Sequence, residues 1–190
     1  TPEELVAEGW KQFDAGDYSA AELTFREVTT DYRENAEAYR GHGWSLLSLR
    51  IPEGAVRSFE NAVRFDPTNV DAQAGLAIAY DADGRSGRAL APIDEVLTRD
   101  SAWVFFHDPR VDWRDLEYLR ARNHLFLSAE VDPSLDIAVE SVNRLTDGDS
   151  PPLDRLDSAT WTADGAAYRT LAEAVLKRLE VIAADAATPR

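Results

Sequence analysis

The sequence predicts an all-α chain of stacked helical hairpins, and three observations carry that reading. Four columns of residues recur at a spacing of 34: Gly9, Gly43 and Ala77; Ala21, Ala55 and Ala89; Phe25, Phe59 and Ile93; Val28, Ala62 and Val96. A fixed period of about 20 to 50 residues marks a stacked repeat architecture. Within each unit the first small residue precedes the second by 12 positions, with a turn signal between them: AGDY, then RIPE, then DGRSG. Small residues facing each other across a turn let two antiparallel helices approach closely, so each unit reads as a hairpin. Beyond residue 110 apolar residues again recur at helical spacing.

The first helices of the three units are expected over 4–15, 37–49 and 70–82, and the second over 18–31, 52–65 and 86–99. Pro52 stands where a first-turn proline is tolerated, and Asp66-Pro67 ends the second hairpin by blocking helical continuation. The units then run over about 2–35, 36–69 and 70–103. SAWVFFHDPRVDWRDL follows, an insertion whose Trp103, Phe105 and Phe106 are expected to tuck under the end of the stack. A degenerate fourth hairpin is expected within 111–146, with Trp113, Leu116, Leu119 and Phe126 on its first helix and Leu135, Ala138, Val142 and Leu145 on its second. Its facing small residues, Ala121 and Ala138, are 17 apart, so its turn is longer than the others. Residues 147–164 have the Pro, Gly, Ser and Asp content of an irregular loop. A last helix within 165–190 places Tyr168, Leu171, Val175, Leu179 and Ile182 on one face and suits the solvated cap that a repeat stack needs, packed on the same domain as 1–146.

These columns resemble the tetratricopeptide repeat (TPR), most closely in the second unit through Tyr39, Gly43, Leu46, Ala55, Phe59, Ala62 and Pro67. The first unit has Arg33 at the place of the closing proline; the third has Gln73 where a bulky aromatic is usual and Ser101 in place of proline. The resemblance implies a right-handed superhelix of helical hairpins, here with a degenerate fourth hairpin and a C-terminal capping helix. FFHDPRVDWRDL and the Trp161-Thr162-x-Asp164-Gly165 stretch look like a group of bacterial exported TPR lipoproteins of undefined function. That likeness implies a signal and a lipid-bearing cysteine upstream of Thr1 and a periplasmic or envelope-facing location. A chain without methionine is itself expected to be a processed or trimmed product.

Composition excludes several functions. The net charge of −15 would repel a phosphate backbone, so nucleic acid is not an expected partner. No apolar run approaches the roughly 18 residues of a membrane-crossing helix, so no transmembrane segment is expected in this chain. Without cysteine there is neither a disulfide nor thiolate chemistry. No glycine-rich phosphate loop or GxSxG elbow is present. His42, His107 and His124 lie far apart; His107, Asp108 and Asp112 lack a recognised ligand spacing, and Asp147, Asp149, Asp154 and Asp157 lack the alternation of an EF-hand loop. No catalytic residue, metal or cofactor is predicted.

What remains is a binding surface. In TPR proteins the groove is lined from the first helix of each unit, at its second, fifth, ninth, twelfth and thirteenth places. Carried over, the candidate ligand-binding residues are Trp10, Phe13 and Asp14, then Glu37, Arg40, Trp44 and Leu47, then Ile78 and Asp81, with Glu3 and Asp71 sharing the place of Glu37. Trp10, Trp44 and Ile78 form a ladder with an acidic rim. The chaperone-type carboxylate clamp does not fit, because Val6, Trp10 and Trp44 occupy its lysine and asparagine places. Two fillings of the groove are open: a partner's extended or helical peptide, or the chain's own aromatic insertion or last helix. Contiguous exposed apolar surface usually marks an interaction site, so the expected function is a protein-interaction scaffold taking a peptide or protein segment. The alternatives are a homo-oligomerising module, a second copy covering the imperfect first and third units, and, less favoured, a small-molecule-binding or catalytic accessory protein.

Overall fold

Each inner helix opens on a capping side chain at the same place in its unit. Thr1, Asn35 and Asn69, spaced by 34, accept hydrogen bonds from the backbone N–H of Glu4, Ala38 and Ala72, and Glu4 completes a capping box back to Thr1. The result, in a computed structural model that describes residues 1–129, is α1 (Pro2–Asp14), α2 (Tyr18–Asp31), α3 (Ala36–Ser48), α4 (Pro52–Phe65), α5 (Val70–Ala82), α6 (Ser86–Arg99) and α7 (Trp113–Ala129). Helices α2, α4, α5 and α6 coincide end to end with the expected ranges, and α1 and α3 begin one or two residues early. The second half of the fourth hairpin, the 147–164 loop and the last helix lie outside the described residues.

Two compact units divide the chain, Thr1–Trp113 and Arg114–Arg190. The first contains the three hairpins and the aromatic insertion. Each hairpin closes through a residue in the left-handed region: Gly16 (φ 79°), Arg50 (φ 60°) and Gly84 (φ 75°), again 34 apart. Within this unit α2 packs between α1 and α3, and α4 between α3 and α5, while α1 touches α3 and α3 touches α5. Helices α1, α3 and α5 thus form a continuous inner wall. In the second unit, Leu116 and Leu119 of α7 are fully buried.

Glycine sets the spacing of that wall. The Phe25 ring of α2 lies against Gly9 of α1 and Gly41 of α3, and the Phe59 ring of α4 against Gly43 of α3 and Gly75 of α5. A Cβ at Gly41 or Gly75 would stand 2.3 Å from a ring carbon, so the phenylalanines fit only because those positions carry no side chain. In the third unit Ala77 takes the glycine's place and the smaller, fully buried Ile93 takes the ring's. Among the described residues no helix is long and apolar enough to cross a membrane. The described chain is all-helical apart from one isolated antiparallel bridge, Val104 to Asp112.

Candidate functional site

The inner wall carries a repeating polar contact beneath its aromatic one. The Trp10 indole N–H donates to Glu37 at 2.8 Å, and the Trp44 indole N–H donates to Asp71 at 3.1 Å. Each tryptophan therefore holds the acid 27 residues further on, at the second place of the next inner helix. Arg40 joins the two rungs: its Nε donates to Glu37 at 2.9 Å, its terminal nitrogens reach Glu37 and Asp71, and its guanidinium carbon lies 4.6 Å from the Trp10 ring centre. Burial alone would raise the Glu37 pKa; the Arg40 hydrogen bonds and charge, with the Trp10 bond, outweigh it and hold this carboxyl below its ordinary value. For Arg40 burial acts downward, and the two carboxylates outweigh it, so the guanidinium stays charged. The arginine is committed to this network and is not a free anion receptor.

Residues 103–107 lie across the wall as a strap, bridged at Val104 to Asp112 and turning at 105–108, where the Asp108 N–H donates to the Phe105 carbonyl at 3.2 Å. Across the bridged residue Val104 side chains alternate, so Trp103 and Phe105 face inward while Val104 is exposed, and the turn that follows brings His107 back onto the wall. Phe105, 1% exposed, stacks on Trp44 with ring centres 4.0 Å apart; Trp103 is roughly parallel to Trp44 at 6.5 Å. His107 stacks on Trp10 at 3.9 Å and 7°, with its Nδ1 2.8 Å from a carboxylate oxygen of Asp14. Phe13 meets Phe105 and His107 edge-on. The strap's backbone is tied to its own return: Phe105 N–H donates to the Val111 carbonyl at 2.9 Å, and Trp113 N–H to the Trp103 carbonyl at 2.8 Å.

This differs from the expected placement of the insertion. Trp103 and Phe105 are buried, but Phe106 is 84% exposed, and the segment reaches Trp10 in the first repeat instead of tucking under the stack's end. Phe106 stands in the turn over 105–108, which carries its side chain away from the wall that Phe105 faces.

The structure brings Trp10, Phe13, Asp14 and Trp44 together with the strap, and Glu37 and Arg40 beneath and beside them. Leu47 and Ile78 are buried on the same helices. Asp81 is buried near the end of α5, where its carboxylate accepts from the Ser86 hydroxyl at the start of α6. His42 stands apart: its Nε2 is 3.1 Å from Glu22 of α2 and its Nδ1 3.0 Å from the Ser58 hydroxyl of α4. Asp108 pairs with Arg110. Among the described residues no group of three His, Asp or Glu side chains could hold a metal ion. Sequence reasoning missed the indole-to-acid rungs and the Gly41 and Gly75 column. Both were present as fixed offsets, 27 and 34 residues, that a search of columns for hydrogen-bonding and packing partners would have reached.

A family description, the tetratricopeptide repeat, matches residues 6–69 and again 41–102. No curated protein matches the sequence significantly. Among solved structures, the TPR2B domain of yeast Sti1 in its pHsp70 complex is 27% identical, covering 53% of this chain and 80% of that one at a TM-score of 0.50. A thermophilic TPR protein of Thermus thermophilus is 17% identical, covering 93% of this chain and 99% of that one at 0.53. The O-GlcNAc transferase of Thermobaculum terrenum is 17% identical over 64% of this chain but only 22% of its own, at 0.53.

Proposed function

The chain belongs to the tetratricopeptide repeat family, a superhelical repeat fold that serves as a protein-interaction module, and we propose that it takes a segment of a partner protein on the inner wall of α1, α3 and α5 without a catalytic step. One observation carries this: the wall's aromatic ladder already receives a non-helical segment, residues 103–107, through Phe105 on Trp44 and His107 on Trp10. A surface that accommodates one non-helical segment by side-chain stacking has the shape and chemistry to accommodate another. The likeness to a transferase spans 22% of that enzyme and gives no reason to assign transfer chemistry here.

Photo-crosslinking tests it. A photoreactive side chain at Glu3, exposed at the second place of α1, should capture a partner in extracts of the source cell; the same group at Leu23, 54% exposed on α2, should not. Capture from Leu23 alone would move the binding surface to the outer helices and overturn the reading. A second reading rests on the 2% exposure of Trp44 and the outward Phe106: the groove is permanently self-filled and the partner is another copy of the chain. It requires a dimer in solution that Phe106→Ser dissociates.

A further inference from the structure

We propose that the strap is an in-cis ligand that a partner displaces, and that it discloses the partner's chemistry: a short segment with aromatic side chains at two alternate positions, followed by a turn that sets an imidazole two residues after the second. This rests on the reading that the inner wall takes a partner segment, and it adds both the sequence character of that segment and the step by which it enters.

The inward positions define the receptor subsites. Trp44 takes two aromatic rings, that of Phe105 at 4.0 Å and that of Trp103 at 6.5 Å between ring centres. The third subsite takes a flat ring with a polar nitrogen, between a π face and a carboxylate: His107 lies 3.9 Å from Trp10 and its Nδ1 2.8 Å from Asp14. A flat ring stacked on a tryptophan face with a ring nitrogen at a carboxylate is favourable on both counts. The net charge of −15 adds long-range attraction for a basic segment.

Two features mark the strap as exchangeable. Its backbone hydrogen bonds go to Val111, Trp113 and its own turn residues, so its hold on α1 and α3 is made by side chains, which a competing peptide can reproduce group for group. A segment serving solely as filling would gain nothing from apolar residues on its outer side, yet Val104 is 45% and Phe106 84% exposed. These outward groups stay available to whatever approaches the face.

The probe is a labelled peptide with the strap's own sequence, SAWVFFHDPR, residues 101–110, added to the full chain. Occupancy by the strap lowers the apparent affinity by the fraction of molecules in which it is open. His107→Ala, which removes the stack on Trp10 and the Asp14 contact, should therefore tighten peptide binding by at least about tenfold. Replacing the peptide's histidine by alanine should weaken binding, and Asp14→Asn should remove most of that difference. A peptide of the same composition with its two inward aromatic residues moved to adjacent positions should not compete. A measurement on the unaltered chain guards against a variant that loosens the fold: on saturation with the peptide, the His107 ring resonances should move from their stacked position to those of a solvent-exposed histidine.

If the His107 signals stay stacked while the peptide binds, or if the rearranged peptide binds equally, exchange is overturned. Absence of any peptide binding to both the unaltered chain and His107→Ala overturns it too. Partner capture from Glu3 with an unmoved His107 would leave the interaction module standing and remove only the displaceable strap.

Discussion

His42 owes its protonation state to where the repeat stack places it. It is neutral by preference, because burial lowers its pKa more than the Glu22 hydrogen bond and charge raise it, with Arg26 adding a small downward push. In that state Nε2–H donates to Glu22 and Nδ1 accepts from the Ser58 hydroxyl, joining α2, α3 and α4. A histidine whose folded pKa lies below its unfolded value binds its proton more readily in the unfolded chain. Its stabilising contribution is complete above the unfolded value near 6.5 and is lost as pH falls through that value toward the folded pKa. Glu37, also lowered, acts in a separate window, its contribution disappearing only as pH falls below the ordinary carboxylate value near 4.5. Thermal melts between about pH 7.5 and 5 should therefore show a decline that His42→Gln flattens. A decline of the same steepness in His42→Gln would assign it to other groups.

The elements were legible because local chemistry marks their boundaries, part of it recurring at the repeat spacing. Asn35 and Asn69 cap, Pro52 opens α4 in its first turn, and Asp66-Pro67 stops it, all within one turn of the boundary they set. One boundary departs from its column. Gly16 and Gly84 hold positive φ without strain, but the same place in the second hairpin is Arg50, at φ 60°. A non-glycine residue there costs about 1–2 kcal/mol, against about 0.5–1 kcal/mol for the greater freedom that glycine loses on folding. Arg50→Gly should thus stabilise the chain by about 0.5–1 kcal/mol, raising Tm by about 2–4 °C. A fall in Tm would show that the contacts Arg50 makes outweigh its strain.

At the scale of the molecule, the sequence carried the repeat and left the strap's position undetermined, for a physical reason. The period exposes contacts between neighbouring units, since Gly9, Phe25 and Gly41 must meet in every copy of the pattern. The strap occurs once, and its partners Trp10 and Trp44 lie 97 and 61 residues upstream of His107 and Phe105, taking the differences of their numbers. Nothing periodic announces such a pairing, and the adjacent Phe105 and Phe106 of WVFFH left open which ring faces inward. This long closure changes how the unit should unfold. Stacked repeats interact only with their neighbours, so their stability is a sum of local terms and the ends fray first. Here Phe105 and His107 tie the exit of the third repeat to α1 and α3, converting a linear array into a closed one. Phe105→Ala should cost about 3–5 kcal/mol, as truncation of a buried phenylalanine does, while Phe106→Ala, at an exposed position, should change stability by less than about 0.5 kcal/mol. The closure makes a further demand on hydrogen exchange. In Phe105→Ala the amides of α1 should lose protection together with those of 103–107, although the substitution lies in neither α1 nor its hairpin. If protection of α1 stays at its wild-type level while the strap alone exchanges faster, the repeats hold themselves and the strap is a lid upon them.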